Sequence, residues 1–412
     1  MILAKDFDEA KSLLTSKVLK SKKSCRSRFG NFIYSEPTLV VLEKVEDLEI
    51  DRSSIYFRTY EKRFEELFEV AEKKLKNSPY TRRVSIPIWR PEDHYSENPP
   101  AITEISFLFD GELHLTAYLR SLEVLRYFEH DYGFLSYCLQ RMSERTGMKV
   151  GTIAMLLAIP HVYERDVKVE NLETDFSEFY GYNKFATHIV EDYISSAWHS
   201  ALEFIYKYGK MKKTEWEFEK QKESLFVHRM FIEVKKPEEN VLHDKAPFDL
   251  KYAIDYTMEY VLYDSFDKPI KTGFLKGEEY SYAERARFCE KDKIKVDQLY
   301  EAVKKLKDYR RDCYVCISRP WDLESSDPPC LRGYQFFRDE KVSGIFYMRS
   351  NDVYGAMHAN MFAFSTLTKL IADYFGSKHI YYHFAVDAHV YQGSLDLVKE
   401  ILYGRPKRSF FS

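Results

Sequence analysis

Residues 80–89 read YTRRVSIPIW, and residues 309–321 read YRRDCYVCISRPW. Each opens on a tyrosine and an arginine pair, continues with apolar residues at alternate positions, and closes on a tryptophan. That is the pattern of a strand buried on one face. The likeness continues downstream. Pro99-Pro100-Ala101 answers Pro328-Pro329-Cys330, and AYLRS ending at Arg120-Ser121 answers FYMRS ending at Arg349-Ser350. From 101 to 120 is 19 residues, and from 330 to 349 is 19. His161-Val162-Tyr163 begins 41 residues after Arg120, and His389-Val390-Tyr391 begins 40 after Arg349. Four landmarks in one order at matched spacing mark a tandem duplication.

The shared unit has a coarse structure. Two strands around a turn are expected over 105–119 and 334–348. A helix follows over 131–147 and 355–374, then a strand over 150–159 and 378–386 that leads into His-x-Tyr. This irregular alternation predicts an α+β fold, a mixed β-sheet flanked by helices, in two tandem copies. Residues 209–224 are highly charged with no core pattern. They read as a linker or exposed helix between a domain at 1–210 and another at 220–412.

At 412 residues the chain is long enough for two cores. Hydrophobic residues make up 45% and charged residues 31%, a soluble globular composition. A net charge of -3 argues against a broad nucleic-acid surface, although a local cluster of cations could still hold one phosphate. The six cysteines follow no framework spacing, and no leader is evident, so a reduced intracellular, cytoplasmic protein is expected. No apolar run approaches the ~20 residues that span a membrane. Cys313 and Cys316 fall in an expected strand without a second pair to complete a zinc site, so no metal is expected.

The C-terminal half carries DPPCLRGYQFF (327–337), RSNDVYGAMHANMFAF (349–364) and VDAHVY (386–391), with YSYAERARF upstream at 280–288. In this order and spacing the segments resemble the signature of thymidylate synthases, and the YGA and AN elements resemble the short archaeal-type members. The resemblance implies one-carbon transfer to C5 of a pyrimidine nucleoside monophosphate. The donor would be methylene-tetrahydrofolate or methylene-tetrahydromethanopterin.

That chemistry needs a thiolate. Pyrimidine C5 becomes nucleophilic only after addition at C6, and cysteine is the side chain suited to that step at neutral pH. Cys330 is the implied nucleophile. Arg349 and Ser350 resemble the family's phosphate contacts, a role suited to a planar guanidinium beside a hydroxyl. Asn360 matches the position that reads the base, since a carboxamide both donates and accepts and so suits the O4 and N3–H of uracil. His389 and Tyr391, two apart on one face of a strand, resemble the pair that binds the sugar 3′-hydroxyl. Asp387 and Asp352 match further motif positions. The candidate for the family's glutamate, which organises water and protons around O4, is Glu259. Tyr282 resembles the tyrosine that assists removal of the C5 proton, with Ala283 replacing the usual glycine. The closing GRPKRSFFS does not match the family's terminal tail.

The first half departs from this pattern. Ala101 stands at the nucleophile position, Asp131 at the Asn360 position, Glu123 at the Asp352 position and Pro160 at the Asp387 position, and the Glu259 segment has no evident counterpart. Arg82, Arg83, Arg120, Ser121, His161 and Tyr163 remain. The family's members are two-fold dimers that lend each other an arginine pair. A two-fold interface is self-complementary, so duplication can place it inside one chain. The two halves are therefore expected to form an internal pseudo-dimer, with Arg82 and Arg83 reaching the Cys330 site. The competing arrangement is a homodimer served by Arg310 and Arg311. Three functions follow: dTMP synthesis from dUMP, a dUMP or dCMP hydroxymethylase, or nucleotide binding without turnover.

Overall fold

A computed structural model describes residues 1–167, 177–218, 221–239, 241–262 and 280–404. The first unit runs β1 (Ile2–Ala4), α1 (Phe7–Lys20), β2 (Lys23–Ser27), β3 (Gly30–Tyr34), β4 (Thr38–Leu42), α2 (Ile55–Asn77), β5 (Ser85–Pro87), β6 (Ile102–Phe109), β7 (Leu113–Leu119), β8 (Leu122–Glu123), α3 (Phe128–Thr146), β9 (Val150–Leu157) and β10 (Pro160–Tyr163). The second runs β11 (Gly181–Asn183), β12 (Ala186–Glu191), α4 (Ile194–Tyr208), β13 (Lys210–Phe218), β14 (Gln221–Val234) and α5 (Leu250–Tyr256). It continues through a π-helical turn (Thr257–Leu262), α6 (Tyr282–Ala286), α7 (Gln298–Leu306), β15 (Tyr314–Cys316), β16 (Leu331–Arg338), β17 (Lys341–Asp352), α8 (Met357–Tyr374), β18 (Lys378–Tyr391) and α9 (Leu395–Tyr403).

The two sheets share one topology. The first is ordered β1-β4-β9-β7-β6-β5, and the second contains β12-β14-β18-β17-β16-β15. Pairing senses agree as well. The crossover pairs β7–β9 and β17–β18 are parallel, whereas β4–β9 and β14–β18 are antiparallel. The duplication is therefore structural as well as linear.

Three expectations change. Residues 209–224 are not a linker, because β13 and β14 form a hairpin there and β14 pairs with β18. Gly181–Tyr208, read as part of the first domain, hydrogen bonds and packs into the second. There β12 lies parallel to β14, and Trp198 and Ile205 of α4 enter the second core. The units thus part between Tyr163 and Gly181. The position matching Asp387 is Ile159, not Pro160, because His161 pairs with Glu123 as His389 pairs with Asp352, and two residues earlier is Ile159.

Each unit folds for local reasons. Ser54 caps α2 by accepting from the Phe57 amide, and Phe57, Tyr60, Phe64, Leu67, Ala71 and Leu75 recur every three or four residues on its buried face. Burial of each large apolar side chain contributes roughly 1.5–3 kcal/mol. α8 lies so close on β17 that a Cβ at Gly344 would sit 2.2 Å from Thr368 Oγ1. Helices cover the outer faces. The inner faces meet through a third core that includes Trp89, Tyr118, Tyr314, Tyr347 and Phe384. Tyr118 stacks on Tyr347 at 5.5 Å, and Arg332 of the second unit binds Glu104 of the first at 2.8 Å, both fully buried. This seam is the expected internal pseudo-dimer. Among the described residues no helix is long and apolar enough to cross a membrane.

Candidate active site

Cys330 precedes β16, after two prolines that restrict its approach. Its thiol is half-buried, 3.8 Å from Ser350 Oγ. The neighbouring strand β17 carries Arg349, whose amide donates to the Cys330 carbonyl at 2.9 Å. The Arg349 guanidinium is spent on backbone. Nη2 donates to Pro328 O at 2.6 Å, Nε to Pro329 O at 3.1 Å, and Nη1 to Arg82 O at 2.9 Å. Arg349 thus clamps the cysteine turn and ties it to the first unit.

Arg82 crosses the seam into this site. Its Nη2 donates to the Tyr391 hydroxyl at 3.2 Å, and Nη1 lies 3.5 Å from Asp387. Burial opposes its charge, but Asp387, Tyr391 and Cys330 outweigh burial and hold its pKa above the ordinary value. Asp387 is fully buried and accepts from Lys212 Nζ at 2.8 Å. Burial would raise its pKa; Lys212, His389 and Arg82 overcome that and hold it well down. Burial and Arg82 together lower the pKa of His389, so its ring is neutral at pH 7. Two cations thus enclose one carboxylate, leaving surplus positive charge in a buried place. Arg82 Nη1 and His389 Nε2 have no hydrogen-bond partner among the described residues. Arg83 is half-buried beside Arg82.

The next candidate lies on α8. Asn360 is buried on its first turn, where Oδ1 accepts from the Tyr256 hydroxyl at 2.7 Å. Tyr282 sits beside the nucleophile, its hydroxyl accepting from the Leu331 amide at 3.4 Å. Asp352 is half-buried at the end of β17 and caps the following turn by accepting from the Tyr354 amide. Glu259 belongs to the turn that packs against α6 and α8. It is half-buried on the π-helical turn, makes no hydrogen bond or ion pair among the described residues, and acts on Lys251.

Two members escaped the sequence reading. Lys212 lies in the charged stretch mistaken for a linker, and its burial depends on Asp387, far away in sequence. Tyr256 had a visible signal in the four-residue spacing of Tyr252, Tyr256 and Tyr260, which marks one helix face. The terminal segment 405–412 lies outside the described residues.

The first unit builds a parallel arrangement with other residues. Arg311 Nη2 donates to the Tyr163 hydroxyl at 2.8 Å, as Arg82 does to Tyr391. Arg120 donates to the Pro99 and Pro100 carbonyls, each at 2.7 Å, as Arg349 does to the Pro328 and Pro329 carbonyls. The Tyr60 hydroxyl accepts from the Ala101 amide at 3.1 Å, and its helix α2 packs on α3.

Comparison with known proteins agrees with this geometry. A family model for thymidylate synthase matches residues 46–179 and again 262–410. A protein of Methanosarcina mazei named "Putative thymidylate synthase" is 28% identical over 214 residues, which span 51% of this chain and 92% of that protein. A Methanosarcina acetivorans protein of the same name is 27% identical over the same shares. One from Methanococcoides burtonii is 25% identical over 217 residues, again 51% of this chain and 92% of the relative.

Proposed function

The chain belongs to the thymidylate synthase family, methyltransferases that carry one carbon to pyrimidine C5, and we propose that its second unit converts dUMP to dTMP through Cys330. The one-carbon unit comes from a methylene-tetrahydropterin, a folate-type co-substrate. The reading rests chiefly on Arg82. A guanidinium from the other unit is buried among Tyr391, Asp387 and Cys330 with one nitrogen unpartnered, in a pocket of surplus positive charge. A dianionic phosphomonoester supplies the missing charge and acceptors.

In this reading Cys330 attacks C6 as the thiolate, with Arg82 as the nearby cation favouring it. Asn360, oriented by Tyr256, holds the uracil edge. Neutral His389 and Tyr391 take the sugar hydroxyl, and Tyr282 stands where a proton leaves C5. Glu259 is the remaining candidate for proton handling at O4.

Incubation with 5-tritiated dUMP and methylene-tetrahydrofolate or methylene-tetrahydromethanopterin tests the proposal. Tritium release with a methyl product supports it. Release with a hydroxymethyl product makes the chain a hydroxymethylase, in which water captures the exocyclic methylene. No release from dUMP or dCMP with either donor makes it a binding protein.

A further inference from the structure

The first unit keeps a cavity of about 510 Å³ where the second has its active site. Its lining includes Ala101, Arg120, Ser121, Asp131, Tyr163 and Arg311, and it has no nucleophile. A site with no remaining task would be expected to fill with side chains, because interiors close-pack. Three features show what this one accepts.

The first is charge. In the second unit Arg82 is offset by Asp387. The corresponding residue in the first unit is Ile159, and the strand positions of Lys212 and Ser224 are taken by Cys25 and Phe32. Arg311 therefore rests over the Phe32 ring at 4.5 Å with no carboxylate in ion-pair range among the described residues. Its Nη1 has no hydrogen-bond partner there. Asp312 acts on Arg120 only at a distance, being held by Arg310 at 2.7 Å and Lys305 at 3.0 Å. Arg120 and Arg311 thus line the cavity with no carboxylate in ion-pair contact among the described residues, although Asp131 and Asp312 share the lining. Such a pair is stabilised by a ligand that brings negative charge and several acceptor oxygens.

The second feature is the base end. Asp131 occupies the first turn of α3 as Asn360 occupies that of α8, and its amide donates to Tyr127 O at 2.9 Å as that of Asn360 does to Ala356 O at 3.0 Å. A carboxylate only accepts hydrogen bonds. It therefore pairs with an exocyclic amino group and repels a carbonyl oxygen. Burial raises the Asp131 pKa, and the protonated form would add a donor toward a ring nitrogen. The carboxylate suits the amino edge of cytosine better than the O4 of uracil, whereas the protonated carboxyl pairs with either base.

The third is size and shape. A volume of about 510 Å³ matches a pocket for a small nucleotide rather than a bare anion. The cations at Arg120 and Arg311 and the carboxyl at Asp131 line one cavity, as a phosphate and a base on one ligand require.

We propose that the cavity of the first unit is a non-catalytic binding site for a cytosine nucleoside monophosphate, with the phosphate on Arg311, Arg120 and Ser121 and the amino edge of the base on Asp131. This site is independent of what Cys330 turns over, so the two readings fail separately.

The full-length chain and its Arg311→Gln and Asp131→Asn variants are titrated calorimetrically with dCMP, CMP, dUMP and inorganic phosphate. Thermal melts establish that each variant is folded, and tritium release from dUMP reports the Cys330 site. A cytidylate, dCMP or CMP, is expected to bind one site per chain that Arg311→Gln weakens by at least about tenfold. Asp131→Asn should shift preference at that site from cytosine toward uracil by about tenfold. Both variants should keep tritium release within about twofold of the parent, since neither residue touches the Cys330 site. Identical cytidylate isotherms in the parent and both variants overturn the proposal, because all binding would then be at the Cys330 site. So does inorganic phosphate binding as tightly as the nucleotides, which reduces the cavity to an anion hole, and so does the absence of cytidylate binding to the parent.

Discussion

The two units place nearly the same backbone around two different sets of side chains. In the second, Cys330, Asn360, Asp387 and Lys212 accompany the arginine contributed by the first. In the first, the same positions hold Ala101, Asp131, Ile159 and Cys25, around an arginine contributed by the second. What both keep is the clamp of an arginine on two proline carbonyls and the crossed arginine on a tyrosine hydroxyl. The kept contacts fix the proline turn within each unit and cross the seam, and the lost side chains include the nucleophile and the carboxamide that the proposed chemistry uses. A duplicated two-fold enzyme cannot discard its inactive copy, because that copy carries Arg82.

The largest effect should come from the nucleophile. Cys330→Ser should lower tritium release from labelled dUMP by at least about a thousandfold. Ala101→Cys in that background should restore none of it, because the first site lacks the carboxamide at Asp131 and the carboxylate at Ile159. Restored turnover in the double variant would erase the distinction between the sites.

The crossed arginines come next. Arg82→Gln should reduce kcat/KM roughly 10- to 100-fold, the scale of a lost charge-assisted phosphate contact. Arg311→Gln should leave it within about twofold. Equal losses would mean that the seam, rather than the contact, carries the effect.

Much of this was legible before the fold was known, and the reason is physical. Arg349 and His389 recur in the linear repeat as Arg120 and His161, and the same spacing located Cys330 and Asn360, whose counterparts are Ala101 and Asp131. The expectation that Arg82 crosses came from the arginine pair that the family's two-fold dimers exchange, carried inside one chain by the duplication. The unit boundary was not legible, because β12 and α4 join the second sheet through parallel pairing with β14, and sequence order does not disclose that. Lys212 was hidden for a similar reason. A lysine in a charged strand reads as solvated until a buried carboxylate is placed opposite it. Glu259 makes no hydrogen bond or ion pair among the described residues, so its role rests on the family resemblance alone.

Lys212 turns that lesson into a measurement. Lys212→Met removes one partner of a fully buried carboxylate and should cost about 3 kcal/mol of unfolding free energy by denaturant titration. Cys25→Met, at the matching strand position where no buried charge depends on it, should cost less than about 1 kcal/mol. Comparable losses would show that the strand position, not the ion pair, sets the cost.

The smallest effect distinguishes the two ends of the seam. Asp110 of the first unit lies 2.9 Å from both His114 Nε2 and His228 Nε2, with Lys210 at 3.9 Å. At the pseudo-symmetric end Asp339 accepts from the Tyr34 hydroxyl at 2.7 Å, with Lys23 at 3.9 Å. The first end titrates in mild acid. Burial lowers the His228 pKa to about 4, against the partial support of Asp110. The unfolded chain, with an ordinary imidazole near pH 6.5, therefore binds a proton that the folded chain refuses until about pH 4. Stability falls as pH drops through that window. Asp110 acts in the same direction at still lower pH, because its histidine partners hold its pKa well below the usual value despite burial. His228→Asn should therefore make the pH dependence of unfolding free energy between pH 6 and 4.5 shallower by up to about 1.4 kcal/mol per pH unit, one proton's worth. Tyr34→Phe should cost about 1 kcal/mol at every pH in that range and leave the slope alone, since a phenol exchanges no proton there. An unchanged slope in His228→Asn would show that this histidine is not what makes the two ends differ.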